Sequence, residues 1–249
     1  MQYRQNDPEK QSLLTGEIPV LARKLAPPLC SSSSVQRVRV EQQIHDAAGV
    51  KLILMQAPAG YGKTTAMVQY HAQLKMQGVA TAWLSLDPAD NDVERFIAYL
   101  AAAFNQIEPA FVLPPAVMID VDGFALDLIN RIAAIERRFV LFLDEAELIQ
   151  DKIVLGLLRK ILQGLPAQGM LVIGSRDSID LGRGRLRAQG QLLEIGPGSL
   201  RFSIEEATCL LREKRRLALA DDDIAKLLRC TEGWVNRDPA CRVVAGWSH

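Results

Sequence analysis

The stretch LILMQAPAGYGKTTAMV (52–68) decides the fold of this chain. Its first part is an unbroken apolar run, which is typical of a strand buried on both faces of a parallel sheet. Small residues, a lysine and two threonines follow, and a helix-like segment comes next. This loop is either an ordinary polar turn between a strand and a helix or a loop that binds phosphate. The spacing within the loop and the pattern of the rest of the chain distinguish these alternatives.

Residues 57–64 fit the phosphate-loop (P-loop) pattern, with Ala57 where the strict form has glycine. In such a loop, backbone N–H groups surround the β-phosphate, and the next helix points its positive end at the anion. Gly62 allows close approach of the backbone, and Lys63 is predicted to act on the β and γ oxygens. The predicted nucleotide-binding residues are Ala57, Pro58, Ala59, Gly60, Tyr61, Gly62, Lys63, Thr64 and Thr65.

Two of these residues have further interpretations. The Thr64 hydroxyl is a predicted ligand of Mg²⁺. Tyr61 lies either near the nucleotide or on the loop surface, and we favour the surface.

Apolar runs alternate with helical periodicity through most of the chain, which predicts right-handed βαβ units. We predict an α/β fold of the P-loop NTPase type, with a parallel β-sheet flanked by helices and followed by the start of a helical lid domain. The predicted strands are 51–56, 80–87, 139–145, 170–176 and 191–195. The predicted helices are 40–48, 64–75, 93–104, 124–138, 153–165, 203–220 and 221–230, with Ser203 and Glu206 as a capping box for the sixth.

Acidic and basic residues follow two of these predicted strands. Asp144 and Glu145 end the run FVLFLDE, which we expect beside the phosphate-loop strand. Asp144 is the predicted second protein ligand of Mg²⁺. Glu145 and Lys63 are the predicted catalytic residues, with Glu145 as the base that orients or deprotonates water. Alternatively, acids at strand ends are ordinary turn residues. Arg176, after MLVIGS, is predicted to contact the γ-phosphate, with a solvent-facing arginine as the alternative.

Two charged segments have simpler interpretations. Arg183, Arg185 and Arg187 could form a nucleic-acid patch, but no aromatic residues interleave with them, so a solvated short helix is favoured. Asp87, Asp90 and Asp92 could bind a metal ion, but a helix cap at Asp90 or Asn91 is favoured.

Composition limits the function classes. The 249 residues carry 29 basic and 29 acidic side chains, so the whole chain has no excess charge that would favour nucleic acid or a membrane surface. The polar N-terminus resembles no secretory signal, and no apolar run approaches the length of a spanning helix. The four cysteines have no CxxC pairing. These observations predict a cytoplasmic protein that does not contact the membrane.

Several motifs together resemble the nucleotide-binding module of the MalT-like regulators, the large LuxR-type members of the STAND class of P-loop ATPases. The phrases APAGYGKTT (57–65) and AWLSLDPADNDVERFIAYL (82–100) carry most of the resemblance, and it extends from about residue 24 to 235. Further matching segments are KLAPP (24–28), VQRVRV (35–40), FVLFLDE (139–145), MLVIGSR (170–176), LRAQGQLLEIGPGSLRFSIEEA (186–207) and TEGW (231–234).

The resemblance implies an ATP-driven switch of transcription with ATP, ADP and Mg²⁺ as ligands and with self-association in the active form. It also implies that Val35 and Arg37, before the first strand, contact the nucleotide. DNA contact would come through a C-terminal helix-turn-helix domain, which we expect to be absent from this chain together with the sensor.

Composition, the pattern of elements and the resemblance together divide the chain. We expect a loosely ordered leader (1–34), a nucleotide-binding domain (35–200), the start of the lid (201–235) and an atypical tail (236–249). The tail contains Asp238-Pro239, which would interrupt a helix. A truncated or frame-altered chain is therefore expected. Two alternatives stay open: a metabolic P-loop enzyme such as a small-molecule kinase, and a remnant that binds nucleotide without turnover.

Overall fold

The computed structural model describes residues 20–30, 34–47, 49–109, 111 and 121–231. Its centre is a parallel five-stranded sheet with the strand order β2-β3-β4-β1-β5. The strands are β1 Leu52–Gln56, β2 Ala80–Ser85, β3 Phe139–Asp144, β4 Gly169–Ser175 and β5 Leu192–Ile195. The predicted parallel sheet is confirmed. The expectation that β3 lies beside β1 is wrong, because β4 pairs with both and separates them.

Helices cover the sheet and extend beyond it. Every predicted helix has a counterpart, although α4 ends before the predicted 138. The helices are α1 Val38–Asp46, α2 Lys63–Met76, α3 Val93–Ile107, α4 Val121–Ala133, α5 Lys152–Gly164, α6 Arg183–Ala188, α7 Pro197–Leu200, α8 Ile204–Thr208 and α9 Asp221–Cys230. Short 3₁₀ helices occur at Ala22–Leu25, Pro88–Asn91 and Ala146–Leu148.

Side chains of the sheet alternate between two apolar clusters, which is why its strands are apolar at nearly every position. Leu52 and Leu54 of β1 belong to the cluster that also contains residues of α3, α4 and α5. Ile53 and Met55 belong to the opposite cluster, with residues of α1 and α2. Because consecutive side chains of a strand point to opposite faces, a sheet covered on both faces needs an unbroken apolar run.

The part of the leader that the structure describes is packed against the domain. Residues 20–30 were expected to be extended or loosely ordered, yet they contain the 3₁₀ helix Ala22–Leu25, and Lys24 is buried. Its ammonium group contacts the carboxylates of Asp87 and Asp90. Arg95 of α3 contacts the same two carboxylates. We call these four residues the leader ion-pair cluster, and they attach the leader to the end of β2.

The aspartates after β2 divide their roles differently from the prediction. The cap of α3 is Asp92, whose side chain accepts a hydrogen bond from the N–H of Arg95, so a cap at Asn91 is wrong. Asp90 does take part in capping, but in the capping box of the 3₁₀ helix Pro88–Asn91, whose N-cap is Asp87. Asp90 is fully buried and accepts hydrogen bonds from the Asp87 N–H and from Arg95. A buried carboxylate needs such partners.

The helical segment after the sheet, predicted to be the start of a lid, begins with the capping box that the sequence predicts. The Ser203 hydroxyl accepts from the Glu206 N–H, and the Glu206 carboxylate accepts from the Ser203 N–H. The helix is shorter than the predicted 203–220, because after Thr208 it continues as a π-helical segment, Cys209–Lys214. Residues of this segment and of α9 form a third apolar cluster together with Val35.

The three arginines that were weighed as a nucleic-acid patch lie on a short helix, as expected. These are Arg183, Arg185 and Arg187 of α6, where Arg183 and Arg187 both pair with Glu194 of β5.

Some predictions fall on segments that the structure does not describe. The tail 236–249, most of TEGW and leader residues 1–19 and 31–33 lie outside the described residues. Within the described part of the chain, no helix has the length and apolar character that crossing a membrane requires.

Candidate functional site: a phosphate loop with a carboxylate partner

The phosphate loop connects β1 to α2 in the conformation that its glycines permit. Gly60 and Gly62 have φ of 86° and 79°, a region in which other residues are strained. A side chain at Gly62 would also come within 2.9 Å of the Arg37 guanidinium. Ala57 is buried in the core, and its N–H bonds to the Ser175 carbonyl. A small side chain fits this position, which explains why alanine replaces the usual glycine.

Lys63 begins α2 and lies within the loop. Its ammonium group donates to the carbonyls of Ala57 at 2.6 Å and Pro58 at 3.1 Å. Burial lowers the pKa of Lys63, while the carboxylates of Glu147 and Asp144 act in the opposite direction. A cation in this position is available to an anion held by the loop.

The Thr64 hydroxyl donates a hydrogen bond of 2.8 Å to Asp144 at the end of β3. The contact forms although β4 separates β3 from β1, because α2 packs across β2, β3 and β4 and its first turn reaches the end of β3. Gly174 of β4 lies between them. A Cβ there would come within 2.7 Å of the Asp144 carboxylate, so the contact depends on this glycine. The sequence analysis did not select Gly174, because a single glycine within the run MLVIGS (170–175) gives no signal of its role.

The two carboxyl groups at the end of β3 differ in surroundings. Asp144 is buried, and burial raises its pKa although Thr64, the Glu145 N–H and Lys63 oppose the change. Burial also raises the pKa of Glu145, and the carboxylates of Asp144 and Glu147 add to the effect. Glu145 has φ of 58°, an uncommon conformation for a residue other than glycine. Strained backbone of this kind is concentrated at functional sites.

Glu147 is a site residue that the sequence analysis did not select. Its side chain is 8% exposed and pairs with Arg176, whose Nε lies 2.9 Å from Glu147 Oε1. The Arg176 N–H donates to Glu147 Oε2 at 3.0 Å. Arg176 also lies 3.7 Å from a Glu145 oxygen. The available signal was the spacing DEAE (144–147), which places a third acid next to the predicted pair.

A cavity of about 340 Å³ connects the loop with these acids, within the roughly 300–1,000 Å³ typical of ligand pockets. It is lined by Ala59, Gly60, Gly62, Lys63, Thr64, Thr65, Asp144, Glu145, Glu147 and Arg176. Ala57 and Pro58 line a neighbouring cavity that shares Arg176. Tyr61 packs against the core cluster on the α2 face of the sheet rather than standing free on the surface.

Val35 and Arg37 precede α1 and contact the segment that follows the sheet. Val35 is buried in the third apolar cluster, with residues of Cys209–Lys214 and α9. Arg37 is 2% exposed, donates to the Leu200 carbonyl at 2.5 Å and lies 3.4 Å from Glu206. Burial lowers the pKa of Arg37, and Glu206 opposes the change. The structure therefore brings Arg37 to the loop through Gly62 and places Val35 among lid residues, and nucleotide contact by either stays a prediction.

The chemistry of the donor set suits Mg²⁺ and a phosphate chain. Hard oxygen ligands are what Mg²⁺ prefers, and Thr64 and Asp144 present a hydroxyl and a carboxylate to the same point. The backbone of Gly60 and Gly62 has the left-handed conformation from which loops of this kind form anion-binding concavities. The residues present fit both groups.

Comparisons with known proteins agree with this geometry. The chain is 31% identical to the HTH-type transcriptional regulator MalT of Klebsiella pneumoniae over 86% of its own length and 24% of MalT. The predicted resemblance to the MalT-like regulators is confirmed. The chain is also 28% identical to the serine/threonine-protein kinase PknK of Mycobacterium tuberculosis, over 87% of its own length and 20% of PknK. It thus spans about a quarter or less of these curated relatives.

A solved structure supports the fold independently. Cdc6p of Pyrobaculum aerophilum superposes with a TM-score of 0.52 at 15% identity, covering 82% of this chain and 56% of that one. At this identity the likeness concerns the fold alone. Together with the sheet order and the loop, it confirms the predicted P-loop NTPase fold. No family model matches the chain.

Proposed function

We propose that this chain is the ATP-binding switch module of a MalT-like transcriptional regulator, which binds ATP or ADP with Mg²⁺ and hydrolyses ATP slowly. The observation that carries the proposal is the 2.8 Å contact between the Thr64 hydroxyl and the Asp144 carboxylate at the mouth of the phosphate loop. P-loop NTPases hold Mg²⁺ with the loop Ser/Thr and a strand-end aspartate, and this chain brings those two groups together.

The residues of the chain divide the work of binding. The loop N–H groups and the positive end of α2 bind the phosphates, and Lys63 adds a charge-assisted hydrogen bond. Thr64 and Asp144 would hold Mg²⁺, which supplies neutralising charge to the phosphate oxygens when bound. Arg176 places a second cation in the same cavity, where it would contact the γ-phosphate.

Glu145 is the proposed general base. It lines the cavity, and its carboxylate would orient a water molecule and accept its proton. Burial and two neighbouring carboxylates raise the pKa of Glu145, which makes it a stronger proton acceptor than an exposed glutamate. Its pairing with Arg176 at 3.7 Å weakens this basicity, in keeping with slow rather than fast turnover.

The output of the switch is proposed from the relatives. MalT is named as a transcriptional regulator of the HTH type, and this chain matches 24% of it. We propose that nucleotide state is passed on to transcription through self-association and through DNA-binding regions that lie outside the matched segment. The position of Arg37 between the loop and Glu206 of the lid supports a coupling of nucleotide to lid.

The test combines nucleotide binding and turnover. Binding of ATP and ADP to the purified chain, with and without Mg²⁺, is measured by calorimetry, with Lys63→Ala as the variant expected to lose binding. We expect Glu145→Gln to retain ATP binding and to slow hydrolysis by about 100-fold, the lower end of what a general base contributes.

Each other outcome selects a different function. Phosphate transfer to an added small molecule, absent in Lys63→Ala, would favour a metabolic kinase. ATP binding with no hydrolysis in the unmodified chain would favour a remnant that only binds. If ATP and ADP both fail to bind to the unmodified chain, the proposed function is wrong.

A further inference from the structure

The carboxylate of Glu147 contacts both the backbone and the side chain of Arg176. One of its oxygens accepts the backbone N–H of Arg176 at 3.0 Å, and the other lies 2.9 Å from Nε of the side chain. The Glu147 side chain is 8% exposed, whereas the Arg176 side chain is 53% exposed. The carboxylate is therefore held in place, and it fixes one end of a guanidinium whose other end is open to the cavity.

The charges around the cavity make this contact consequential. Lys63 and Arg176 are the cations that line the cavity, and Asp144, Glu145 and Glu147 are the carboxylates. Asp144 faces the hydroxyl of Thr64, and the Glu145 oxygen nearest to Arg176 is 3.7 Å from it, beyond normal hydrogen-bond length. Glu147 therefore makes the shortest contact with the Arg176 side chain among these acids.

A terminal phosphate and the Glu147 carboxylate would seek the same partner. Both are anions that recognise a guanidinium through charge-assisted hydrogen bonds. A ligand that carries a γ-phosphate would meet a guanidinium whose charge Glu147 already partly neutralises, and its binding would weaken the Glu147 contact, whereas a diphosphate would leave the pair intact. The cost of that exchange falls on ATP and spares ADP.

We infer that Glu147 sets the preference of the site between ATP and ADP by competing with the γ-phosphate for Arg176. The inference rests on the proposed function, because it concerns a site that binds both nucleotides. Glu147 acts as a positioning residue: it holds the guanidinium in the diphosphate form and releases it in the triphosphate form.

The experiment measures dissociation constants for Mg·ADP and for a slowly hydrolysed Mg·ATP analogue. Glu147→Gln keeps the shape of the side chain and an oxygen that can accept the Arg176 N–H, but it removes the charge. Glu108→Gln is the matched control, since Glu108 pairs with Arg137 at 3.6 Å, at the opposite end of β3. Arg176→Met and the double variant Glu147→Gln/Arg176→Met complete a cycle.

We expect Glu147→Gln to tighten binding of the ATP analogue about fivefold and to change ADP binding less than twofold. The effect is smaller than for a buried charge pair, because Arg176 is half-exposed and solvent screens it. In the Arg176→Met background the substitution should no longer alter the ratio of the two constants. Glu108→Gln should leave both constants unchanged, and thermal unfolding establishes that every variant is folded.

Three results would contradict the proposed competition between Glu147 and the γ-phosphate. It is overturned if Glu147→Gln changes both constants by the same factor, if it weakens the ATP analogue selectively, or if its effect persists without Arg176. If Glu147→Gln does not fold, Arg176→Met decides alone: the model then requires this variant to lose affinity for the ATP analogue and to keep affinity for ADP. Absence of binding by the unmodified chain would instead overturn the proposed function, and with it this inference.

Discussion

The chain contains two groups of charges at the ends of neighbouring strands, and they differ in balance. The leader ion-pair cluster sets two cations against two carboxylates, and its central member, Asp90, is fully buried and accepts from Lys24 and Arg95. The phosphate site sets Lys63 and Arg176 against three carboxylates. One group is satisfied by its own members, and the other has an excess of acid.

The pKa values follow that difference. Burial raises the pKa of Asp87, but the hydrogen bond and charge of Lys24 outweigh it, so the pKa lies below its ordinary value. At the phosphate site burial prevails, and the pKa values of Asp144 and Glu145 are raised. Carboxylates that outnumber their cationic partners suit a divalent cation. A structural cluster is thus recognised by its internal balance and a candidate binding site by its surplus.

The largest effect in this comparison is expected from Lys24→Met. The substitution keeps much of the apolar stem but leaves the fully buried Asp90 with Arg95 and a backbone N–H alone. Loss of one partner of a buried pair costs about 3–5 kcal/mol, and Arg95 holds the loss near the lower end. Urea denaturation should show about 3 kcal/mol of destabilisation. Nucleotide affinity should be unchanged, because Lys24 does not line the cavity. A weakened affinity would show that the leader ion-pair cluster and the phosphate site are energetically coupled.

An intermediate effect is expected from Gly174→Ala. The new methyl group would lie 2.6 Å from the Met67 sulfur and 2.7 Å from the Asp144 carboxylate. Met67 can move, but Asp144 would have to leave Thr64. We expect about 2 kcal/mol of destabilisation, as for an overpacked core, and weaker Mg²⁺-dependent nucleotide binding.

Gly156→Ala in α5 is the matched control for Gly174→Ala. A Cβ there meets open space, so the helix should gain about 0.5–1 kcal/mol and binding should not change. Unaltered Mg²⁺-dependent binding in Gly174→Ala would mean that Asp144 does not need its present position.

The smallest change in stability is expected from Asp144→Asn, which should stabilise the protein, whereas the two preceding substitutions destabilise it. Because the folded-state pKa of Asp144 is raised above 3.8, the folded protein binds the proton more tightly than the unfolded chain. Stability from this group is therefore present below pH 3.8 and is lost as the pH rises through the folded pKa. Asparagine removes that loss, and its oxygen can accept the Glu145 N–H while its NH2 group donates to the Thr64 hydroxyl.

Asp144→Asn should thus be about 1 kcal/mol more stable than the unmodified chain at neutral pH, while losing the Mg²⁺ dependence of nucleotide binding. Thermal unfolding from pH 4 to pH 7 measures the difference, which should grow as the pH rises and then level off. A variant less stable than the unmodified chain at neutral pH would show that Asp144 is already stabilised as an anion, like Asp87.

Local pattern alone determined much of this protein. The composition of the apolar run 52–55 is enough to predict a strand that is covered on both faces. The spacing of the glycines and the lysine after it is enough to predict the phosphate loop. The capping box at Ser203 and Glu206 is similarly local. These features lie within a few residues of one another, so backbone geometry and periodicity suffice to predict them.

Tertiary structure decided which distant groups meet. The order that separates β1 from β3, the Gly174 gap that lets Asp144 reach Thr64, and the pairing of Glu147 with Arg176 all depend on packing between segments far apart in the chain. The same holds for Lys24 and Asp90, which are 66 residues apart. Sequence spacing can select candidate residues, as it did for Thr64 and Asp144, but it does not fix these contacts, because side chains acquire such neighbours only when helices and strands pack against one another.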